Sequence, residues 1–360
     1  MHQIGPAAVE YFWLARHNRL GSRQNFEPEG KELQQRMKTI EMRAPGGPEV
    51  LEIGARALPK IAAGEVLVRV TAAGVNGPDL VQRRGHYPAP AGASDLLGLE
   101  VSGEIVDRAD GVTNWAVGDL VCGLCNGGGY GEYVTVNAQH CLPIPDGVSA
   151  VDAAGLCETY FTVWSNLFFG QAHKPGQVLL VHGGAGGIGS TAIQLGHHLG
   201  FDVFTTCANA QDCDYVRTLG AKRAINFHDE DFVEIVRAAG GADLILDIIG
   251  GEYVARNIKA ASPDARIVQL AFNAGSKVEI NLMPIMLKRL IYTGSTLRTR
   301  PEPFKSAVAA DLLAKIWPLF ATGALAAQTH RIFPFEQATE AHQMMEKAAH
   351  RGKILLSPTI

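Results

Sequence analysis

The chain has 360 residues, 47% of them hydrophobic, and 32 basic against 36 acidic side chains give a formal net charge of −4. That length exceeds one ordinary core and carries enough apolar side chain to fill two. Neither sign of charge runs in blocks, so no nucleic-acid stripe or anionic-lipid patch is indicated, and no apolar run reaches the roughly 18 residues a membrane span needs.

Six cysteines without a framework spacing fit a reducing compartment, and the N-terminus lacks a secretory signal pattern. The expectation is a soluble, cytoplasmic protein of two domains. Residues 1–36 mix aromatic, basic and polar side chains without a sustained period and read as a loosely ordered appendage. Met37 opens a strand-like segment, followed by the turn signal Pro45-Gly46-Gly47-Pro48. Valine-rich runs at 66–70, 99–106 and 118–122, separated by Gly, Pro and Asp turns, predict a β-rich domain. A helix is predicted over 152–169, with apolar residues at spacings of three and four and Gly170 at its end.

Beyond it strand and helix alternate. Strands are predicted at 178–181, 203–206, 224–227, 244–249 and 267–271, and helices at 188–199, 213–219, 232–238 and 253–260. This pattern is that of a doubly wound parallel sheet, an α/β Rossmann architecture. A helix over 307–320 and a strand over 353–356 are expected to return to the β-rich domain. The predicted division is therefore 37–157 with 299–360 for the β-rich domain, and 158–298 for the parallel sheet.

Gly184-Ala185-Gly186-Gly187-Ile188-Gly189 satisfies GxGxxG. With 40 glycines in the chain the motif alone is weak, and its context carries it. The loop leaves an apolar strand and enters a helix, where backbone amides and the positive helix end can meet a pyrophosphate. About 20 residues on, an acid would hold the ribose hydroxyls of NAD. The segment Thr205-Thr206-Cys207-Ala208-Asn209 offers none, and the next charged residue is Asp212, with Lys222 and Arg223 beyond. NADPH is expected on the missing acid rather than on any present base, and NADH stays open.

Four segments carry a family resemblance: GVNGPDLVQRRGHYP (74–88), LLGLEVSGEI (96–105), GGGYGEY (127–133) and the glycine loop with its helix. From about Met37 onward the chain resembles the zeta-crystallin-like quinone oxidoreductases of the medium-chain dehydrogenase/reductase superfamily. TGSTLRTRP (293–301) is similar to the branch related to the p53-inducible quinone reductase. The resemblance implies a GroES-like catalytic domain, a Rossmann domain, NADPH in the cleft between them, and a homodimer.

The positions matching the catalytic zinc ligands of the alcohol dehydrogenases are Asn76, Leu99 and Glu158, and leucine cannot bind zinc. Cys122 and Cys125 form a CxxC whose nearby later partners are His140 and Cys141, which reads as buried thiols rather than a metal site. Hydride delivered to an isolated ketone leaves a localised alkoxide that wants a Lewis acid. A quinone or an α,β-unsaturated carbonyl spreads that charge by conjugation, so the expected substrate is a small conjugated electrophile.

The resemblance assigns the remaining roles. Asn76 lies beside the nicotinamide ribose and the quinone; a turn-forming Asn before Gly is the plain alternative. Tyr87 lines the substrate pocket and stands where related enoyl-thioester reductases keep a proton donor. Glu158 and Thr162, four apart, share a helix face toward the nicotinamide carboxamide. Asn209, Asp212 and Phe227 replace the serine, lysine and tyrosine that hold a 2′-phosphate, and Phe272 is a further cofactor contact. Arg298 and Lys353 are closing contacts to substrate or cofactor, or ordinary surface bases; His86 reads as a solvated loop residue. The preferred activity is NADPH-dependent quinone reduction. The alternatives are reduction of an enone or enoyl thioester with Tyr87 as proton donor, and nicotinamide binding without turnover.

Overall fold

The computed structural model describes residues 36–359. The predicted appendage lies outside the described residues except for Arg36, which opens the first strand.

Strands β1 (Arg36–Met42) and β2 (Leu51–Ala57) form an antiparallel hairpin around the Pro-Gly-Gly-Pro turn. The GroES-like domain is built on β3 (Glu65–Val75), β4 (Glu100–Arg108), β5 (Leu120–Leu124), β6 (Tyr133–Asn137) and β7 (Cys141–Pro143). β3 is the hub of this sheet. It pairs antiparallel with β4 and with β6, and it extends past the predicted 66–70 because two register shifts let it follow both neighbours.

The Rossmann sheet contains β8 (Val178–His182), β9 (Asp202–Cys207), β10 (Arg223–Asn226), β11 (Ala242–Asp247), β12 (Ala261–Gln269) and β13 (Ile291–Gly294). All six strands are parallel, in the spatial order β10-β9-β8-β11-β12-β13. The chain order reverses between β8 and β11, so the crevice at their carboxyl ends is the natural ligand position. Leu179 and Val181 pack on Ala192, Ile193 and Leu195 from one side of the sheet, and Leu180 packs with Phe204, Phe232 and Ile245 on the other. Burial on both faces explains why this strand reads as an unbroken apolar run.

After β13 the chain forms the helix Glu302–Lys315, then β14 (Thr329–Pro334), the helix Ala338–Glu346 and β15 (Lys353–Ser357). β15 lies antiparallel to β3, with Ile354 opposite Val75, and parallel to β14. The strand order in that sheet is β14-β15-β3-β4-β5-β7.

Some boundaries differ from the sequence expectation for visible reasons. The predicted helix 152–169 is three pieces: a 3-10 turn Asp152–Gly155, an α-helix Cys157–Val163 and a π turn Trp164–Phe168. The first break occurs where the Glu158 N–H donates to the Glu100 carboxylate instead of to a helical carbonyl. The second occurs where the Asn166 side chain takes the Thr162 carbonyl. The helix after β9 begins at Ala210 rather than 213 because Asn209 caps it. β12 begins at Ala261, six residues before the predicted 267, and its pairing with β11 slips between Ala242 and Leu244. Asp264, at positive φ, lies in that irregular stretch. Among the described residues no helix is long and apolar enough to cross a membrane.

Candidate active site

The site is built where β3, β4 and β15 meet. β3 ends at Val75, and Asn76 precedes the helix Gly77–Arg83. Asp79 accepts the Asn76 N–H (2.8 Å) with one oxygen and the Gly98 N–H (2.9 Å) with the other. Burial pushes the Asp79 carboxyl up to about 6 against those two hydrogen bonds.

From this N-cap position the Asn76 side chain also reaches inward. Its Nδ2 donates to Glu100 Oε1 (2.9 Å), and its Oδ1 accepts from Lys353 Nζ (2.6 Å). Lys353 Nζ also donates to the Val75 carbonyl (3.1 Å) and pairs with Glu100 Oε1 (2.8 Å), so its three N–H groups are all committed. Glu100 is fully buried and Lys353 is 6% exposed. Lys353 is a buried cation, not a surface base.

This pair also reaches the helix Cys157–Val163, since Glu100 Oε2 accepts the Glu158 N–H at 2.8 Å. The Glu158 carboxyl is partly buried and has no hydrogen-bond partner among the described residues. Burial, then the neighbouring Glu100 carboxylate, raise it to about 8 against the pull of Lys353, so at neutral pH it carries a proton. One turn on, Thr162 Oγ1 is buried without a partner among the described residues. Thr159 Oγ1 accepts from Thr191 Oγ1 (3.0 Å) and fixes this helix to the one following the glycine loop.

Tyr87 is half-buried, with the Arg298 guanidinium 5.6 Å from its ring centre. Its phenol is raised by burial, with Arg298 opposing and Glu158 adding to the rise. Arg298 is itself 7% exposed. It donates to Gln82 Oε1 (2.6 Å) and to the Asn126 carbonyl (2.6 and 3.0 Å). Its role in the structure is to hold the wall behind Tyr87. His86 is exposed.

The glycine loop lies against the same group. A Cβ at Gly184 would meet Thr205 Oγ1 at 2.0 Å, one at Gly189 the Gly183 carbonyl at 2.3 Å, and one at Gly187 the Lys353 stem at 2.7 Å. At Gly186 nothing lies nearer than 3.8 Å. The loop is closed toward the protein and open at Gly186. There the first N–H groups of the helix Gly187–His198, Ile188 among them, lack intrahelical acceptors. A pyrophosphate fits this cradle, and the unpartnered Thr162 hydroxyl suits a carboxamide.

Beneath the loop runs a buried polar chain. His182 meets Thr206 Oγ1 (3.1 Å) and Asn257 Oδ1 (2.7 Å), Asn257 donates to Asp247 (2.9 Å), and Asp247 accepts the N–H groups of Ile249 and Gly250 (2.6 and 3.0 Å). Burial lowers His182 to about 4, so the ring is neutral.

At the end of β9 the Asn209 amide caps the following helix. Its Oδ1 accepts the Asp212 N–H (2.9 Å) and its Nδ2 donates to Asp212 Oδ2 (2.8 Å). Phe227 is 40% exposed, and its N–H donates to the Cys207 carbonyl (3.1 Å), beside that strand end. Phe272 is 47% exposed beyond β12, against Gly250.

Cys122, Cys125 and Cys141 are buried free thiols. Among the described residues no group of three or more His, Cys, Asp or Glu side chains is arranged to hold a metal ion.

The structure thus joins Asn76, Glu100, Lys353 and the backbone of Glu158 by hydrogen bonds and sets the Lys353 stem against Gly187 of the glycine loop, with Thr162 one turn beyond Glu158 and Arg298 over the Tyr87 ring. Sequence reasoning missed Asp79, Glu100 and the His182 chain. The readable signal for Glu100 was a lone acid between Leu99 and Val101 in an apolar strand.

The description "Alcohol dehydrogenase GroES-like domain" matches residues 62–146, and "Zinc-binding dehydrogenase" matches residues 219–356. The phthioceranic/hydroxyphthioceranic acid synthase of Mycobacterium tuberculosis is 27% identical over 330 residues, 90% of this chain; the chain spans only 15% of that relative's length. The CurK enoyl reductase superposes with a TM-score of 0.78 at 25% identity, covering 89% of this chain and 99% of that one. The Escherichia coli quinone oxidoreductase complexed with NADPH gives 0.76 at 26%, covering 90% and 99%. The two matching domains and the shared fold make the chain a member of the medium-chain dehydrogenase/reductase superfamily.

Proposed function

We propose that this protein is an NADPH-dependent reductase of conjugated carbonyl compounds, with a quinone as the preferred acceptor. The observation that carries the reading is the junction at Lys353. Its stem closes the glycine cradle at Gly187 and its ammonium anchors Asn76 beside Glu158, so dinucleotide site and reaction cleft share one buried residue. When bound, a reduced nicotinamide supplies a hydride. The protein's own contribution is to hold the acceptor in the cleft (Tyr87, Asn76), to exclude water, and to keep a neutral acid at Glu158. Conjugation disperses the incoming charge, so the uncharged donors here suffice. The likeness to a quinone oxidoreductase complexed with NADPH supports both cofactor and acceptor.

A second reading, reduction of an enoyl thioester, is favoured by Tyr87. Its phenol stands near a protonated Glu158 and can hand a proton to the carbon next to the carbonyl, and the similarity to an enoyl reductase agrees. The test is steady-state turnover of a 1,4-benzoquinone and of a 2-enoyl thioester, each with NADPH and NADH, for the wild type and Tyr87→Phe. The proposal expects quinone turnover that survives the substitution within about threefold. Enoyl turnover that falls about 10²-fold or more in the variant, with no quinone turnover in the wild type, replaces the first reading by the second.

We further infer a homodimer through β13. This edge strand exposes Ile291 and Tyr292, and the preceding helix Met283–Lys288 exposes Met283, Met286 and Leu287, each above half. An unpaired apolar edge of this kind invites a second copy. Light scattering should give a dimer mass, and Met286→Lys with Ile291→Lys a monomer; a monomeric wild type refutes it.

A further inference from the structure

The end of β9 presents no base in sequence, yet the fold delivers one from 139 residues away. We infer that Arg351 is the residue that reads the 2′-phosphate of the cofactor, and this rests on the proposed reading of the cleft as a nicotinamide dinucleotide site.

Arg351 Nε donates to Asp212 Oδ1 (2.8 Å) and its Nη2 donates to Gln211 Oε1 (2.9 Å), while Nη1 has no partner among the described residues. The guanidinium is thus held flat and fixed, with one edge free. Its side chain keeps 34% of its exposure, so a ligand can reach it. A rigid planar fork with a free edge is the arrangement best suited to a phosphate.

Backbone placement argues the same. The next residue, Gly352, donates its N–H to the Ala185 carbonyl of the glycine loop (2.7 Å) and bridges to Gly186. Arg351 therefore stands one residue from the pyrophosphate cradle and reaches to the first turn after β9. An adenosine ribose spans that interval in a sheet of this strand order.

The pairing also decides which ribose is welcome. A free diol needs a carboxylate acceptor, but both Asp212 oxygens are occupied, one by Arg351 and the other by Asn209 Nδ2. Asp212, the residue whose charge argues against a phosphate in sequence, orients the base through this pairing and competes with a phosphate for it.

The rival account is a plain strap, in which Arg351 ties its segment to the helix Ala210–Thr218. The two differ in sign. The test is equilibrium binding of NADPH, NADH, 2′,5′-ADP and 5′-AMP by calorimetry to the wild type, Arg351→Gln, Arg351→Lys and Asp212→Asn, with circular dichroism and melting to verify folding. The inference expects Arg351→Gln to weaken NADPH and 2′,5′-ADP about 10- to 50-fold and NADH and AMP less than about threefold. Arg351→Lys should recover part of the loss, and Asp212→Asn should tighten NADPH about two- to tenfold by removing a competing anion. Losses that fall alike on all four ligands in both Arg351→Gln and Asp212→Asn overturn it in favour of the strap. A wild type that prefers NADPH while Arg351→Gln changes nothing overturns this inference alone. A wild type that binds neither dinucleotide overturns the cleft reading with it.

Discussion

Lys353→Met is the most direct probe of the buried junction. The wild-type ammonium has three partners, Val75 O, Asn76 Oδ1 and Glu100 Oε1, at 3.1, 2.6 and 2.8 Å. Methionine keeps the stem that packs beneath Gly187 and removes only the charge. Glu100 then keeps the Asn76 amide and the Glu158 N–H but loses its counter-ion at a fully buried position. Stranding one member of a buried pair costs about 3–5 kcal/mol. Glu100→Gln should cost a similar amount by stranding the ammonium. The double variant removes both charges and should lose no more than either single one, which makes the cycle non-additive by at least about 3 kcal/mol. Urea unfolding followed by tryptophan emission and circular dichroism measures all four proteins. A loss below about 1 kcal/mol in Lys353→Met, or a double variant that equals the sum of the singles, refutes the account of the junction.

Gly186→Ala should fold normally, because nothing lies nearer than 3.8 Å to the added carbon. It should nevertheless weaken dinucleotide binding about tenfold or more by filling the open side of the cradle; unchanged binding in a calorimetric titration counts against the cradle. Gly74→Ala places a carbon 2.0 Å from Glu100 Oε1, a buried atom that cannot move without breaking its bonds, and should cost about 1–3 kcal/mol in urea. Glu158 holds its proton up to about pH 8 in the fold and only to its ordinary 4.5 when unfolded. Between those values the native state binds the extra proton, so its contribution to stability falls as pH rises and levels off above 8. Glu158→Gln should therefore gain on the wild type by about 2–4 kcal/mol between pH 5 and 8, discounted for water in the cleft; a gap that does not widen with pH contradicts the assignment.

The alternation of strand and helix after residue 178 was legible because each strand of the parallel sheet is a short buried run between turn signals. The glycine loop was legible because backbone demands that residue type locally. Asn76, Tyr87 and Glu158 were singled out by motif, but not their partners. Glu100 sits 24 residues from Asn76 and Lys353 lies 277 from it, and no local pattern announces a pairing over such a span. The same limit misdescribed position 212. In sequence Asp212 is an isolated acid where a base is wanted, and only the fold reveals that Arg351 pairs with it. The first break in the predicted helix 152–169 was equally invisible, since its cause is a carboxylate arriving from β4.

β15 joins β3 across 278 residues of chain and touches the glycine loop through Gly352. The sheet that β3 anchors is therefore completed, during synthesis, only after residues 76–352 have been made. Until that strand docks, Glu100 has no cation, Gly187 has no floor, and one edge of β3 stands open. Contacts this remote slow folding and leave an exposed edge for the interval. Premature termination shortly before Lys353 would thus yield a nascent chain with a formed parallel sheet and an unfinished partner lobe, a natural client for chaperones.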